Sequence, residues 1–318
     1  MGLTTNQILI GSSLALAAAV SVVYLLYSKK KKVSWRKVAN VSKIYLYPIK
    51  SSRGEELESA NITSFGVGKV GTEHSDDRCF LVVSPNGQMV TGRQEPRLVM
   101  VKSHVSLNSI TLSGPEMEDI DVPIPTNVSN AMNCRVWGND IAGVDCGDEV
   151  ANWLQKYFNA DYRLVYYPRN ATPRDARGEI SSPPGKIVYH DCAPCNILSE
   201  ASVDDLSSRV DINISARNFR PSILITGCSA YEEDSWTNVK IGVVEMKFMK
   251  FCARCLLTTV DPTSGIKDSD GEPLKTLKAY RQCDKTLKHI YGHDPLLGVH
   301  MVILNPGVIN VGDSVYVS

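Results

Sequence analysis

Two C-x-x-C pairs, Cys192/Cys195 in "DCAPCN" and Cys252/Cys255 in "CARC", carry the most reactive side chains of this 318-residue sequence. Together they could supply the four thiolates of a tetrahedral zinc site. The 56 residues between the pairs exceed the gap of roughly 15 to 20 found in zinc ribbons. A thioredoxin-type dithiol opens a helix after a strand, whereas "CARCLLTTV" reads as continuing β-structure. Buried, inert thiols are a third reading. A fourth gives the pair unequal roles, one cysteine acting as a lone soft ligand for a high-valent or thiophilic metal. Arg254 beside Cys255 would favour the thiolate and could hold a cofactor's phosphate. Lys50 after "YLYPI", Arg78 in "DDR" and Arg220 in "NFRPS" could join it. They stand at the ends of apolar strands beside Pro or Asp, where a rigid frame presents functional groups. Gly66-x-Gly68-x-x-Gly71 matches a dinucleotide fingerprint, but "TEHSDD" and a strand follow it instead of a helix. These glycines read as turn residues.

The elements that must position these groups are mostly strands. Period-two alternation marks "SKIYLYPIKS", "RCFLVVSPNGQMVTGRQ" around an Asn86-Gly87 turn, "RLVMVKSHVSLNSITLSG" and "CRVWGNDIAGVDCG". One helix is explicit: Val150, Trp153, Leu154 and Tyr157 recur at i, i+3, i+4 and i+7 after Asp148. Residues 168 to 185, with four prolines and three arginines, read as an exposed loop. A short helix near Ser202 to Arg209, with Ser202-x-x-Asp205 as its capping box, precedes the strand "SILITG". Strands around "VKIGVVEMKFMKF", a helix near 274 to 282 and a last hairpin through Asn305-Pro306-Gly307 complete the chain. Many short strands with sparse helices predict β-barrels with small α additions, a mainly β, α+β fold.

Composition narrows the function class. Charges balance, 34 Lys+Arg against 34 Asp+Glu, so no global field points to nucleic acid. Ile8 to Tyr27 is 20 residues without a charge, about 30 Å as a helix, followed at once by Lys29 to Lys32. That order, apolar run first and basic block second, predicts a single-pass anchor holding a cytosolic domain rather than a cleaved secretory peptide. Nine irregularly spaced cysteines fit a reducing compartment. The N-x-[ST] triplets decide nothing, being frequent by chance.

"YPIKS", "DDRCFLVV", "GQMVTGRQEPRLV", "NFRPSILITG", "CARCLLTTVDPTSG" and "LKTLKAYRQCD" resemble the mitochondrial amidoxime reducing components of the MOSC superfamily. The resemblance runs from about residue 40 to the end and includes the anchor with its basic flank. It implies an anchor over residues 1–28, an N-terminal MOSC-associated β-barrel domain over 29–167 and a C-terminal MOSC β-barrel over 168–318. It implies a molybdenum–molybdopterin enzyme in which Cys255 is the one protein ligand and Cys252 a neighbour. Lys50, Ser51, Arg78, Arg220 and Arg254 fall on positions holding the pterin and its phosphate, and Asp191 on a cofactor-proximal acidic position. Cys192, Cys195 and Ser222 depart from the family pattern, and three extra residues precede Arg78.

The implied activity is reduction of N-hydroxylated compounds: amidoximes, hydroxylamines and hydroxamic acids. Electrons would come from cytochrome b5 and its NADH-dependent reductase, with all partners on the outer mitochondrial membrane. The endoplasmic reticulum or peroxisome membrane would suit the same anchor. A non-catalytic membrane-tethered module that carries molybdenum cofactor, or is stabilised by zinc, is the rival class.

Overall fold

The computed structural model describes residues 34–72, 76–127, 131–178 and 184–318. The predicted anchor over residues 8–27 lies outside the described residues. Among the described residues no helix is long and apolar enough to cross a membrane. Lys37 to Val317 form one compact unit.

The chain opens with β1 (Arg36–Leu46) and the short β2 (Glu55–Leu57), followed by the hairpin β3 (Ser59–Thr63) and β4 (Gly66–Lys69). Next come β5 (Phe80–Val83) and the meander β6 (Lys102–Val105), β7 (Ser109–Ser113) and β8 (Ile120–Pro123). The hairpin β9 (Ala131–Val136) and β10 (Asn139–Asp145) leads into α1 (Asp148–Phe158) and β11 (Arg163–Tyr166). Among the described residues, the loop after β11 carries only the two-residue strands β12 (Arg174–Asp175) and β13 (Lys186–Ile187). Then follow β14 (Cys195–Ser199), α2 (Glu200–Ser207), α3 (Ala216–Phe219) and β15 (Ile223–Thr226). The long strand β17 (Val244–Ala253) pairs with β16 (Asn238–Ile241) before it and β18 (Leu296–Asn305) after it. Between β17 and β18 lie α4 (Leu274–Tyr280) and α5 (Lys288–Tyr291). The strands β19 (Gly307–Asn310) and β20 (Ser314–Val317) end the fold.

Seven strands close on themselves. The order β15-β14-β18-β17-β16-β20-β1 returns to β15, because β1 pairs with both β20 and β15. Closure removes the unpaired edges that an open sheet would present. The neighbours β14 and β15 are parallel, so the chain crosses between them through α2 and α3. Ile44, Leu46, Ile197, Ile225, Val239, Met246 and Val299 fill the barrel. A second core, around Phe80, Leu98, Ile110, Trp153 and Leu164, lies between the β6–β8 meander, α1 and the sheet β5-β11-β10-β9. In α1 the residues Val150, Trp153, Leu154 and Tyr157 are buried, as their spacing predicts.

Strands cross between the two segments of the sequence: β1 completes the C-terminal barrel, and β19 pairs with β3. Three expectations change on meeting this architecture. The predicted final hairpin is not one; β18 and β19 join at Pro306 but take different partners. The helix after β14 begins earlier than expected. Ser199 caps it by accepting from the Ser202 N–H at 3.1 Å, while the Ser202 hydroxyl turns to Glu233 at 2.8 Å. Finally, "CARCLLTTV" does not continue as β: β17 stops at Ala253 and residues 256–259 form a 3-10 turn.

Candidate functional site

Each site residue read from the sequence stands outside the strands and helices, in a segment that joins two elements. Past β1, Pro48 ends the pairing. Lys50 is held by its N–H to the Phe80 carbonyl at 3.0 Å, and Ser51 adopts a left-handed φ of 68°. Arg78, also left-handed with φ 53°, donates its N–H to the Tyr47 carbonyl at 2.7 Å just before β5. Arg220 ends α3 with φ 55°, Asp191 lies between β13 and β14, and Arg254 and Cys255 follow β17. Non-glycine residues held in this region persist only where surrounding structure fixes them, and they gather at functional sites. All seven residues line one open cleft.

Two ion pairs structure the cleft. The Lys50 ammonium donates to Asp191 Oδ1, with side chains 4 % and 60 % exposed respectively. Burial pushes the Lys50 pKa down, and Asp191 offsets part of that. For Asp191, desolvation raises the pKa, but Lys50 foremost and then Arg78 and the Trp137 N–H outweigh it and hold the carboxyl below its usual range. Solvent at the exposed carboxylate screens both effects. Deeper in, Arg78 donates to the fully buried Asp77, which also accepts the Tyr47 N–H at 2.8 Å. Burial raises the Asp77 pKa, yet Arg78 and the hydrogen bonds keep it depressed. His190 Nε2 lies 3.4 Å from the same carboxylate, and desolvation pushes the imidazole pKa down.

Three further cations form no ion pair with a described carboxylate. Arg220 stacks on the Tyr47 ring at 4.3 Å, beside Arg78 at 5.0 Å, and donates Nη1 to the Ser52 carbonyl at 2.5 Å. Its Nη2 is shielded from solvent and has no hydrogen-bond partner among the described residues. Burial lowers the Arg220 pKa to about 10, so it stays charged at neutral pH. Arg254 is 6 % exposed and donates only to neutral acceptors: the Leu297 carbonyl at 2.8 Å, the Phe219 carbonyl at 2.6 Å and Asn196 Oδ1 at 3.3 Å. It therefore ties α3 to β18 and brings an uncompensated charge to the cleft. Gly298 makes room for it, since a Cβ there would lie 3.2 Å from Arg254 Nη2 and 2.8 Å from the Ile197 carbonyl. Lys250 on β17 is the third.

The two cysteines of "CARC" line the same cleft, Cys252 from within β17 and Cys255 from past its end. They differ in setting. Cys252 is 6 % exposed and burial pushes its thiol up to about 11, so it stays protonated at neutral pH. Cys255 is half-buried and opens the 3-10 turn, its carbonyl accepting from the Thr258 N–H at 3.1 Å and hydroxyl at 2.9 Å. Cys192 also reaches the cleft, whereas Cys195 is buried in the barrel core. Among the described residues no three His, Cys, Asp or Glu side chains are grouped to hold a metal ion, so the four cysteines do not form a zinc cage. The Gly66 fingerprint belongs to packing: Gly66 has φ 106° inside the β3–β4 hairpin, and a Cβ there would sit 2.2 Å from the Pro194 carbonyl.

Sequence reasoning missed Trp137, His300 and Lys250. Trp137 lies at the tip of the β9–β10 hairpin and donates its indole N–H to Asp191 Oδ1 at 2.8 Å. His300 faces Asn196 on β14 and Lys250 on β17 in register. Burial first, then Arg254 and Lys250, lower its pKa to about 3 and keep it neutral. Both strands were legible, but their register was not.

The chain matches the model of the MOSC N-terminal beta barrel domain over residues 38–161 and that of the MOSC domain over 184–316. It is 43 % identical to mitochondrial amidoxime-reducing component 1 of Homo sapiens, over 88 % of this chain and 83 % of that protein. It is also 43 % identical to mitochondrial amidoxime reducing component 2 of Bos taurus, over 88 % of this chain and 84 % of that protein. With mitochondrial amidoxime-reducing component 1 of Mus musculus it shares 40 % identity over 95 % of this chain and 89 % of that protein. The chain belongs to the mitochondrial amidoxime-reducing component family.

Proposed function

We propose that this chain is a molybdenum-cofactor-dependent reductase of N-hydroxylated compounds, taking electrons from cytochrome b5 and its NADH-dependent reductase. We assign it to the mitochondrial outer membrane, anchored by residues 8–27 with its catalytic body in the cytosol. The observation that carries the reading is the meeting of Cys255 with Lys50, Ser51, Arg78, Asp191, Arg220 and Arg254 around one cleft, from segments more than 200 positions apart.

A molybdopterin suits this cleft on the residues present. Arg220 Nη2 is a shielded donor with no partner among the described residues, and Arg220, Lys250 and Arg254 leave positive charge in excess of Asp77 and Asp191. An anionic phosphate answers both needs through charge-assisted hydrogen bonds. A half-buried thiol, Cys255, in a cleft where no three metal-ligating side chains are grouped among the described residues suits a metal whose other positions are filled by a cofactor. When bound, the cofactor supplies the two-electron redox chemistry of N–O bond cleavage. The chain's own part is to hold and to orient. Arg78 and Arg220, stacked on Tyr47, bind the phosphate; Lys50 and Ser51 approach from the end of β1; Cys255 provides the protein thiolate. Asp191 keeps an ionised carboxylate at the mouth, where a substrate's N–H and O–H groups find an acceptor.

Elemental and pterin analysis of the purified full-length protein tests this reading. Stoichiometric molybdenum with pterin, and NADH-dependent amidoxime reduction once the two donor proteins are added, is the expected result. Stoichiometric zinc, or cofactor bound without any reduction, would point to the non-catalytic module instead.

A further inference from the structure

Trp137 is an unexpected residue at its position. It is the first of the two residues joining β9 to β10, with φ 51°, and Gly138 follows with φ 81°. A two-residue turn with both φ positive is best served by Asn, Asp or Gly. A bulky aromatic residue there is strained, and such strain persists where something outside the turn requires it. The requirement is visible at the far end of the side chain. The indole N–H donates to Asp191 Oδ1 at 2.8 Å, and the Arg93 guanidinium stacks on the ring at 4.6 Å. The Lys50 ammonium stands 5.8 Å from the ring centre. The backbone is braced as well, because Arg177 Nη2 donates to the Trp137 carbonyl at 2.9 Å.

Both protein donors to Asp191, Lys50 and Trp137, use the same oxygen, Oδ1. Among the described residues Oδ2 accepts no hydrogen bond. A carboxylate that is 60 % exposed and held by one long lysine chain alone would swing about its side-chain torsions. A second, rigid donor from another element removes that freedom. We propose that Trp137 is a positioning residue: it fixes the Asp191 carboxylate against Lys50, so that Oδ2 is presented to the N–OH and N–H donors of the substrate's head group. This rests on the reductase reading for the identity of the substrate; the coupling of Trp137 to Asp191 does not. The structural explanation, that Trp137 merely closes a hairpin, makes a different forecast, since Asn would close it better.

The test uses the full-length, molybdenum-loaded protein in three forms: unaltered, Trp137→Phe and Trp137→Asn. Phe keeps the ring beside Arg93 and loses the N–H; Asn restores the residue the turn favours. With an amidoxime and a chemical one-electron donor, kcat/KM should fall about ten-fold in both, the loss expected for one charge-assisted hydrogen bond. Molybdenum content should be unchanged, and Trp137→Asn should melt no lower than the unaltered protein. Unaltered kcat/KM in both variants would overturn the proposal, as would a loss of activity tracking a loss of melting temperature. A second arm needs no turnover. The Trp137 emission, taken as the difference between the chain and its Trp137→Phe variant, should shift on Asp191→Ala, and an unchanged spectrum would overturn the coupling. If the unaltered holoenzyme reduces no amidoxime, the reductase reading falls and the emission arm alone decides this one.

Discussion

Lys50 and Asp191, 141 positions apart in the chain, form an ion pair across the mouth of the cleft, with the lysine buried and the aspartate open to solvent. The pair joins the end of β1 to the approach to β14 and so draws the two halves of the sequence to one site. Its asymmetry also separates two substitutions that the sequence alone treats alike.

Lys50→Ala removes a desolvated cation and leaves behind a carboxylate that water can solvate. Arg78→Ala strands the fully buried Asp77, where loss of one partner of a buried pair costs about 3–5 kcal/mol. Both should lower cofactor occupancy under limiting cofactor, by about 10-fold or more if each contributes a charge-assisted contact. Only Arg78→Ala should also lower the melting temperature of the cofactor-free chain, by several degrees. Equal melting of the two variants, read by calorimetry, would count against this distinction.

The anchor should be dispensable for folding, with a limit that the strand sets. β1 begins at Arg36, and Ala39 within it is 3 % exposed in the barrel core. A chain starting at residue 34 should be soluble and bind cofactor. One starting at residue 40 loses the first four residues of β1 and should unfold at a lower temperature. Identical melting curves for the two truncations would show that the start of β1 adds nothing.

Glu233 has no exposed surface and accepts from the Ser199 N–H and Ser202 hydroxyl, while its Oε2 has no partner among the described residues. Burial raises its pKa above the ordinary glutamate value. A carboxyl whose folded pKa is raised contributes stability that is complete below the unfolded pKa, about 4.3, and is lost as pH rises through the folded value. The protein should therefore lose stability from about pH 4.5 upward through this group. Glu233→Gln should flatten that dependence and raise the melting temperature at neutral pH by a few degrees. A steeper dependence in the variant would contradict the sign.

What the sequence made legible was local or motif-borne. The alternation in β1 and β7, the 3.6-residue spacing in α1 and the Asn86-Gly87 turn all rest on interactions within a few residues. Seven site residues were reached through motifs, and the structure brings all seven to one cleft. What was hidden is non-local. The pairing of β1 with β15 that closes the barrel, and of β19 with β3, depends on tertiary contacts no period reports. His300 meets the cleft only through the register of β18 against β14 and β17. Trp137 was concealed because its turn favours other residues. The end of β17 at Ala253 was missed because "LLTTV", apolar and then β-branched at Thr258, Thr259 and Val260, suits a strand, while Thr258 and Thr259 each turn a hydroxyl back to a carbonyl three residues earlier.

The central claim is that one protein thiolate, Cys255, serves the cofactor while Cys252 does not. Cys252 is buried with its thiol pushed up to about 11, and Cys255 opens the turn at the cleft. The most direct measurement is amidoxime reduction by Cys255→Ala and Cys252→Ala, with molybdenum and pterin quantified in each. Cys255→Ala should show background activity even where pterin remains bound, and Cys252→Ala should retain most of its activity. Equal loss in the two variants, or an active Cys255→Ala protein, would contradict it.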